Sequence, residues 1–350
     1  MAIGDRLPFE QPIAELEARI EKLSRLSPQT PETRAELRRL RRDLTVTTKD
    51  IYGRLTASQV VLVARHLNRP MTTDYLDLVF DEFVELHGDK TFGDDRAIRT
   101  GWAKLDGIKV MVVGHQRGKN LKERDACYFG CAHPEGYRKA MAKMALAAKF
   151  GMPVVCLIDT PGAYPGIGAE ERGQAQVIAK SMFEMSRLRT PIICVVIGEG
   201  GSGGALGIGV GDRVAMLQHS CYSVISPEGC AGILWRSHEF KDKAAEILKL
   251  TSNDLPALGV VDDVIPEPLG GAHRNPTLAA SRLKIYLRNE LRRLIVMPVN
   301  ELLDARYQRF RCLGRFLEGH QPEDTDAGTT DDMPAEKNAT LQRHRVSVRV

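Results

Sequence analysis

The stretch PVVCLIDTPGAYPGIGAEERGQAQVIAKSMFEMSRLRTPIICVVIGEGGSGGALGIGVG, Pro153–Gly211, contains one unit twice. Val154–Ile158 and Ile192–Ile197 are short apolar runs rich in β-branched residues, each followed by a glycine-bearing turn and then a helical segment. Such runs, bounded by turn signals, read as buried strands. Strand, turn, helix, strand is the pattern of a parallel sheet. Each turn then lies at the C-terminal edge of its strand, where the following helix begins with unpaired N–H groups. Glycine there removes the Cβ that would hold a ligand away. The two turns, Asp159–Gly168 and Gly198–Gly204, are expected to set two backbone-built anion sites near one another.

The bulk properties narrow the class. A chain of 350 residues can bury a large core, as one main domain with extensions. Hydrophobic content of 43% and charged content of 27% are ordinary for a soluble globular protein. A net charge of +4 is small for this length and, with 6% aromatics, gives no signature of nucleic-acid binding. The N-terminal MAIGDRLPFE lacks the basic and apolar blocks of a signal peptide, and no apolar run approaches a bilayer span. The seven cysteines are scattered rather than spaced as a framework, which reads as reduced thiols in a cytosolic protein.

Outward from the doubled unit, residues 9–55 read as a helical hairpin. Ile13, Leu16, Ile20 and Leu23 make one stripe, Ser27–Pro31 breaks it with Thr30-Pro31 as a restart, and Leu37, Leu40, Leu44, Ile51 and Leu55 continue. Tyr75, Leu78, Val79, Phe83 and Leu86 mark a further helix. Thr100–Leu105 and Lys109–Gly114 flank Asp106-Gly107, a strong hairpin signal. Gln116–Tyr137 is an irregular basic stretch, and Arg138–Phe150 an alanine-rich helix. After the doubled unit come strands at Val214–Leu217 and Ser223–Ile225, a helix start with Ser226 as N-cap, and helices around Ala244–Leu250 and Leu278–Leu294. Beyond about Arg315 the composition is that of a disordered tail.

The motifs taken singly leave the chemistry open. Gly198-Glu-Gly200-Gly-Ser-Gly203 fits the dinucleotide pattern G-x-G-x-x-G, but no acid at a strand end follows about twenty residues on. The same residues fit G-x-S-x-G, with Ser202 as nucleophile and Asp262, Asp263 and His273 downstream in hydrolase order. Taken alone, they favour a turn whose glycines merely permit tight helix–strand packing over either chemistry. Asp159-Thr-Pro-Gly-Ala-Tyr-Pro-Gly166 is a rigid loop directly after a strand. Glu170 and Glu171 after it are ordinary partners of a helix start, and less readily an acid–base pair. Arg117, Lys119, Lys122, Arg124, Arg138 and Lys139 could meet coenzyme phosphates, although a solvated loop is commoner. Cys127, Cys131 and His133 have ligand-like spacing but lack a fourth member. No P-loop motif is present.

Read together, Phe9–Ile20, RPMTTDYLDLVFDEFVELHGD (Arg69–Asp89), HPEGYRKA (His133–Ala140), IDTPGAYPGIGAEERGQ (Ile158–Gln174), GEGGSGGAL (Gly198–Leu206), YSVISPEGCAGILW (Tyr222–Trp235) and IPEPLGGAHRNP (Ile265–Pro276) closely resemble the α-subunit family of bacterial acetyl-CoA carboxylase carboxyltransferases. The resemblance is collinear over Phe9–Gly314; Cys127, Cys131 and the tail depart from the pattern. It implies an α/β, crotonase-like fold of repeated ββα units, with a helical extension at 1–65, a carboxyltransferase domain at 66–315 and a tail at 316–350. It also implies transfer of a carboxyl group from carboxybiotin, on the biotin carboxyl carrier protein, to acetyl-CoA, giving malonyl-CoA for fatty acid synthesis. The implied partners are a β subunit holding the zinc, in an α2β2 assembly, and the biotin carboxylase that uses ATP. Most coenzyme A contacts would come from the β subunit, and no membrane or nucleic acid is involved. The N–H groups of Gly203, Gly204 and Ala205, supported by Gly162 and Ala163, are then the expected anion hole, with Gly200, Gly201, Tyr164 and Pro165 on the carboxybiotin side. A self-sufficient crotonase-type or serine hydrolase acting on an acyl thioester is the alternative.

Overall fold

The computed structural model describes residues 6–26 and 30–314, so the tail at 316–350 and the Ser27–Gln29 part of the expected helix break lie outside them. The chain begins with α1 (Gln11–Ser24) and α2 (Pro31–Gly53). Thr30 caps α2 by accepting the Thr33 N–H at 3.2 Å, and Pro31 takes the first helical position, where a missing N–H costs nothing. A short α3 (Ala57–Ala64) follows, closed by a Thr56–Gln59 capping box.

The next helix is shorter than its periodicity predicts. α4 spans Thr72–Val79, and Phe83 lies instead in β1 (Glu82–Glu85). Phe80 turns extended (φ −100°, ψ 146°), and β1 pairs antiparallel with β2 (Ile98–Leu105), with Phe83 opposite Ala103 and its ring against Gly101. Ladder bonds and that glycine seat outweigh a weak helical repeat. β2 and β3 (Ile108–His115) form the expected hairpin, with Asp106 and Gly107 both at positive φ (48° and 82°) as a type I′ turn requires. The stretch expected to be irregular holds a short α5 (Leu121–Ala126), and α6 (Pro134–Lys149) starts before Arg138, at the proline after His133.

The doubled unit is β4 (Val154–Thr160), α7 (Ile167–Glu171), α8 (Gln174–Arg187), β5 (Ile192–Gly201) and α9 (Ser202–Leu206). β5 is longer than its apolar run, because Gly198–Gly201, read from sequence as turn, continues the strand. The chain goes on through β6 (Arg213–Leu217), β7 (Cys221–Ser223), α10 (Pro227–Trp235), α11 (Lys241–Leu248), β8 (Asp263–Ile265), α12 (Pro276–Ile295) and α13 (Val299–Arg311). The strand expected at Ser223–Ile225 thus ends at Ser223, and Ser226 caps α10 by accepting the Gly229 N–H at 3.0 Å.

The sheet order is β1-β2-β3-β4-β5-β6-β8, with β7 beside the far end of β5. β1–β3 are antiparallel and the remaining pairs parallel. Helices cover both faces. Cys156, Ile158, Cys194 and Val196 look toward Tyr137, Ala140, Met144 and Met185, whereas Val155, Leu157, Ile193 and Val195 look toward Tyr75, Leu283, Leu287 and Leu291. That two-sided burial is why β4 and β5 carry no polar alternation. It also fixes their C-terminal ends, Asp159 onward and Gly198 onward, as one rigid edge.

Candidate active site

The two glycine turns meet backbone to backbone. A Cβ on Gly204 would stand 2.4 Å from the Gly162 carbonyl carbon and 2.5 Å from the Ala163 nitrogen; one on Gly201 would stand 2.1 Å from the Pro161 oxygen. The contact depends on a slip in register. Ile158 lies opposite Val196 but Thr160 opposite Gly200, so β5 spends three residues, Ile197–Glu199, where β4 spends Asp159 alone. Such a bulge bends the strand and re-aims its end. Ser202, exposed and left-handed at φ 49°, then turns the chain into α9. A non-glycine residue there is an outlier of the kind that accumulates at functional sites.

Five amides were expected to make the anion hole. Those of Gly203 and Gly204 occupy first-turn positions with no intrahelical partner. The first intrahelical bond of α9 runs from the Ala205 N–H to the carbonyl of its N-cap, Gly201, so the expected Ala205 donor is spent inside the helix. Ala163 has no acceptor for its N–H among the described residues. The Gly162 N–H is different: it is held by Thr160 Oγ1 at 3.1 Å, which folds the loop on itself, so it is not a free donor. Of the carboxybiotin-side residues, Gly200 is buried between strands, and Gly201 lies on Pro161. Pro165 is exposed, and Tyr164 stacks on His133 at 4.1 Å, with Tyr128 edge-on to both rings.

Beneath the bulge lies a charge cluster that composition did not reveal. Asp159 Oδ1 accepts the Glu199 N–H at 3.0 Å, the amide that the bulge frees from the ladder. Arg117 reaches both Asp159 (3.4 Å) and Glu199 (3.3 Å), while Arg65 binds Glu199 at 2.6 Å and Glu228 at 2.9 Å. Burial pushes the Asp159 carboxyl up, and the Arg117 guanidinium acts against it. Arg117 is therefore a strut rather than a solvated or phosphate-seeking residue. Others of the basic stretch are also committed: Lys119 to Asp74, Arg138 to Asp89 and Lys139 to Asp94. The only sequence signal for the cluster was an aspartate and a glutamate inside apolar, glycine-rich strand ends.

Three other arrangements read from sequence are not assembled. Among the described residues Ser202 has no histidine beside it: His273 stacks on His66 at 4.0 Å, Asp262 binds Arg309, and Asp263 accepts from Tyr286. Glu170 and Glu171 are exposed on α7 with no shared partner. Cys127 and Cys131 are free thiols, and His133 turns to Tyr164. Among the described residues, Glu10, His66 and His273 bring three metal-capable atoms within 4.8 Å of one another. Glu10 Oε1, however, already accepts from Tyr52 (2.8 Å) and Arg274 (2.9 Å), and in-plane lone pairs of two stacked imidazoles cannot converge on one ion.

A parallel-centred sheet between helix layers, with two backbone turns opposed at its strand ends, defines a crotonase-like protein. The Pseudomonas malonate decarboxylase hetero-tetramer, solved with coenzyme A, shares this fold at a TM-score of 0.52, with 20% identity over 63% of this chain and 89% of that one. Residues 6–314 match the family described as acetyl co-enzyme A carboxylase carboxyltransferase-like. The acetyl-coenzyme A carboxylase carboxyl transferase subunit alpha of Rhodopirellula baltica is 64% identical over 315 residues, covering 90% of this chain and 99% of its own. Its counterpart in Methylococcus capsulatus is 53% identical over 313 residues, 89% and 98% of the two chains. The chain belongs to the acetyl-CoA carboxylase carboxyltransferase α-subunit family.

Proposed function

We propose that this chain supplies the carboxybiotin half of a carboxyltransferase site completed by a β subunit, and that the complex carboxylates acetyl-CoA to malonyl-CoA. The N–CO2 bond of carboxybiotin breaks, releasing CO2 and leaving the electron pair on the ureido group, with charge on its oxygen. The ureido nitrogen takes a proton from the acetyl methyl group. The resulting enolate carbon attacks CO2, giving malonyl-CoA and neutral biotin. No protein base is needed, which suits a site where no described histidine stands beside Ser202.

The observation that carries this reading is the seating of Gly204 on the Gly162–Ala163 peptide, which brings two stretches of main chain to one place. Main-chain amides stabilise an anion without titrating, and removal of one such donor typically costs about 3 kcal/mol in comparable sites. Ala163, Gly203 and Gly204 are the donors in this reading, Ala205 being held within α9. Gly162, its N–H already bound, shapes the loop instead. Biotin would arrive on a carrier protein, and zinc and ATP would belong to other subunits. No helix in the described residues is long and apolar enough to cross a membrane, and a cytosolic complex is the setting proposed.

The test is co-expression with the β subunit and assay of malonyl-CoA formation from carboxybiotin and acetyl-CoA. Activity is expected only from the pair, lost in Gly204→Val and retained in Ser202→Ala. Thioester hydrolysis by this chain alone, with an acyl group trapped on Ser202, would replace the proposal with the hydrolase reading.

A further inference from the structure

Two of the segments quoted above, Arg69–Asp89 and Ile265–Pro276, meet in one buried ion pair beside the bulge. Arg69 Nη2 and Nη1 bind the two carboxylate oxygens of Glu267 at 2.6 and 3.0 Å, and both side chains are buried. The third arm of the fork, Arg69 Nε, donates to the Ile197 carbonyl at 2.7 Å. That carbonyl stands at a joint. Within β5 only Ile197 and Gly198 have no opposite residue in a neighbouring strand: the register with β6 ends at Val196, that with β7 begins at Glu199, and that with β4 resumes at Gly200. The pair also bridges from β5 to the connection between β6 and β7, because Glu267 accepts the His219 N–H at 2.9 Å. The start of β5 is held by a second pair of the same kind. Arg306, fully buried, binds Asp212 at 2.7 Å, and Asp212 accepts the Ile192 N–H at 2.7 Å.

A buried strand needs a partner for its backbone groups, and where it changes neighbours that partner sets its course. Beyond the joint, β5 runs only as far as Gly201, seated on Pro161, before Ser202 turns the chain into α9. We propose that Arg69, held by Glu267, is a positioning residue for the carboxyltransferase reaction: its grip on the Ile197 carbonyl fixes the end of β5, and so where the Gly203 and Gly204 N–H groups stand relative to Ala163. The inference rests on the amide-donor reading above. It adds to that reading a buried pair that touches no substrate.

Arg69→Lys keeps the charge but lacks the fork that reaches Glu267 and Ile197 together. In the assembled αβ complex it is expected to lower kcat per folded complex roughly ten- to hundredfold, the loss that a displacement of about 1 Å produces. The KM for acetyl-CoA should not change. Arg69→Met combined with Glu267→Gln removes both charges at once, so no lone charge is buried, and should show the same loss even where the lysine variant does not fold. Arg306→Lys is the control: it weakens the pair at the start of β5 and lowers stability to a like degree, with kcat per folded complex unchanged. Amide exchange should quicken over Gly198–Leu206 in the Arg69 variants and not in the control. If Gly204→Val is inactive but the Arg69 variants keep full kcat, the positioning role is wrong and the amide reading stands. If Gly204→Val works normally too, the amide reading itself falls. An equal loss of kcat in Arg306→Lys, or failure of both Arg69 variants to fold, would assign the pair a purely structural part and overturn the inference.

Discussion

Gly203 and Gly204 are neighbours with opposite tolerances. A methyl group on Gly203 would meet only the Ile178 side chain, at 3.8 Å, which is ordinary contact. On Gly204 it would press into the Gly162–Ala163 backbone, which cannot step aside as a flexible side chain can. Gly203→Ala is therefore expected to fold as well as the parent, or up to about 1 kcal/mol better from reduced backbone freedom in a helix. Gly204→Ala should cost about 1–3 kcal/mol by overpacking and should open the gap between the two turns. Urea denaturation of both variants, with carboxyl transfer assayed in the αβ complex, checks the pair. Equal behaviour would mean that the two turns are not held in contact in solution. The sequence shows four glycines around one serine; which of them is irreplaceable depends on a loop forty residues upstream, so only the fold decides it.

At the level of elements, the site is made by a misfit between two strands, and Asp159 fills it. The bulge frees the Glu199 N–H and seats Gly198 where a Cβ would lie 2.4 Å from Asp159 Oδ1. Asp159→Ala would leave that amide unpaired and Arg117 with one carboxylate fewer, so a loss of about 3–5 kcal/mol is expected. Chemical denaturation of the purified subunit measures it; a loss below about 1 kcal/mol would show that water replaces the carboxylate and that the bulge holds itself. This device also marks the limit of what the sequence disclosed. β4 and β5 were legible because burial on both faces writes an unbroken apolar run, and the β2–β3 hairpin because Asp-Gly permits few other turns. The bulge was not, since register is a relation between two strands and neither encodes it alone. Phe83 was misplaced for the same reason: its partner Ala103 is twenty residues away. The Arg117 strut was hidden because a charge run looks the same whether its members face water or a buried carboxylate.

Across the whole molecule, the N-terminal helices are attached through one buried acid. Glu10, 1% exposed, accepts from the Leu7 N–H, the Tyr52 hydroxyl and Arg274, and Arg274 also binds Glu17 on α1. The apolar support is a small separate cluster, Ile13, Tyr52 and Val63, with Leu7, Phe9, Leu44, Ile51 and Leu55 packed half-buried against it. Burial by itself would raise the Glu10 carboxyl. The His273 ring 3.9 Å away, the Leu7 N–H, Tyr52 and Arg274 more than offset it, holding its pKa well below the ordinary 4.5. A native carboxyl with a lowered pKa contributes stability that is complete above 4.5 and is lost as pH falls toward its native value. Acid should therefore loosen α1 and α2. The core sheet has no such dependence on Glu10, being closed by the separate apolar layers around β4 and β5. Glu10→Gln should mimic acid at neutral pH, because the amide lacks the charge that Arg274 needs, and removing one partner of a buried pair costs about 3–5 kcal/mol. The expected result is faster amide exchange and new protease sensitivity confined to residues 11–53, with β4 and β5 still protected and the difference from the parent shrinking as pH is lowered. Loss of protection in β4 and β5 as well would mean that the helices are part of the cooperative core and not a hairpin docked upon it.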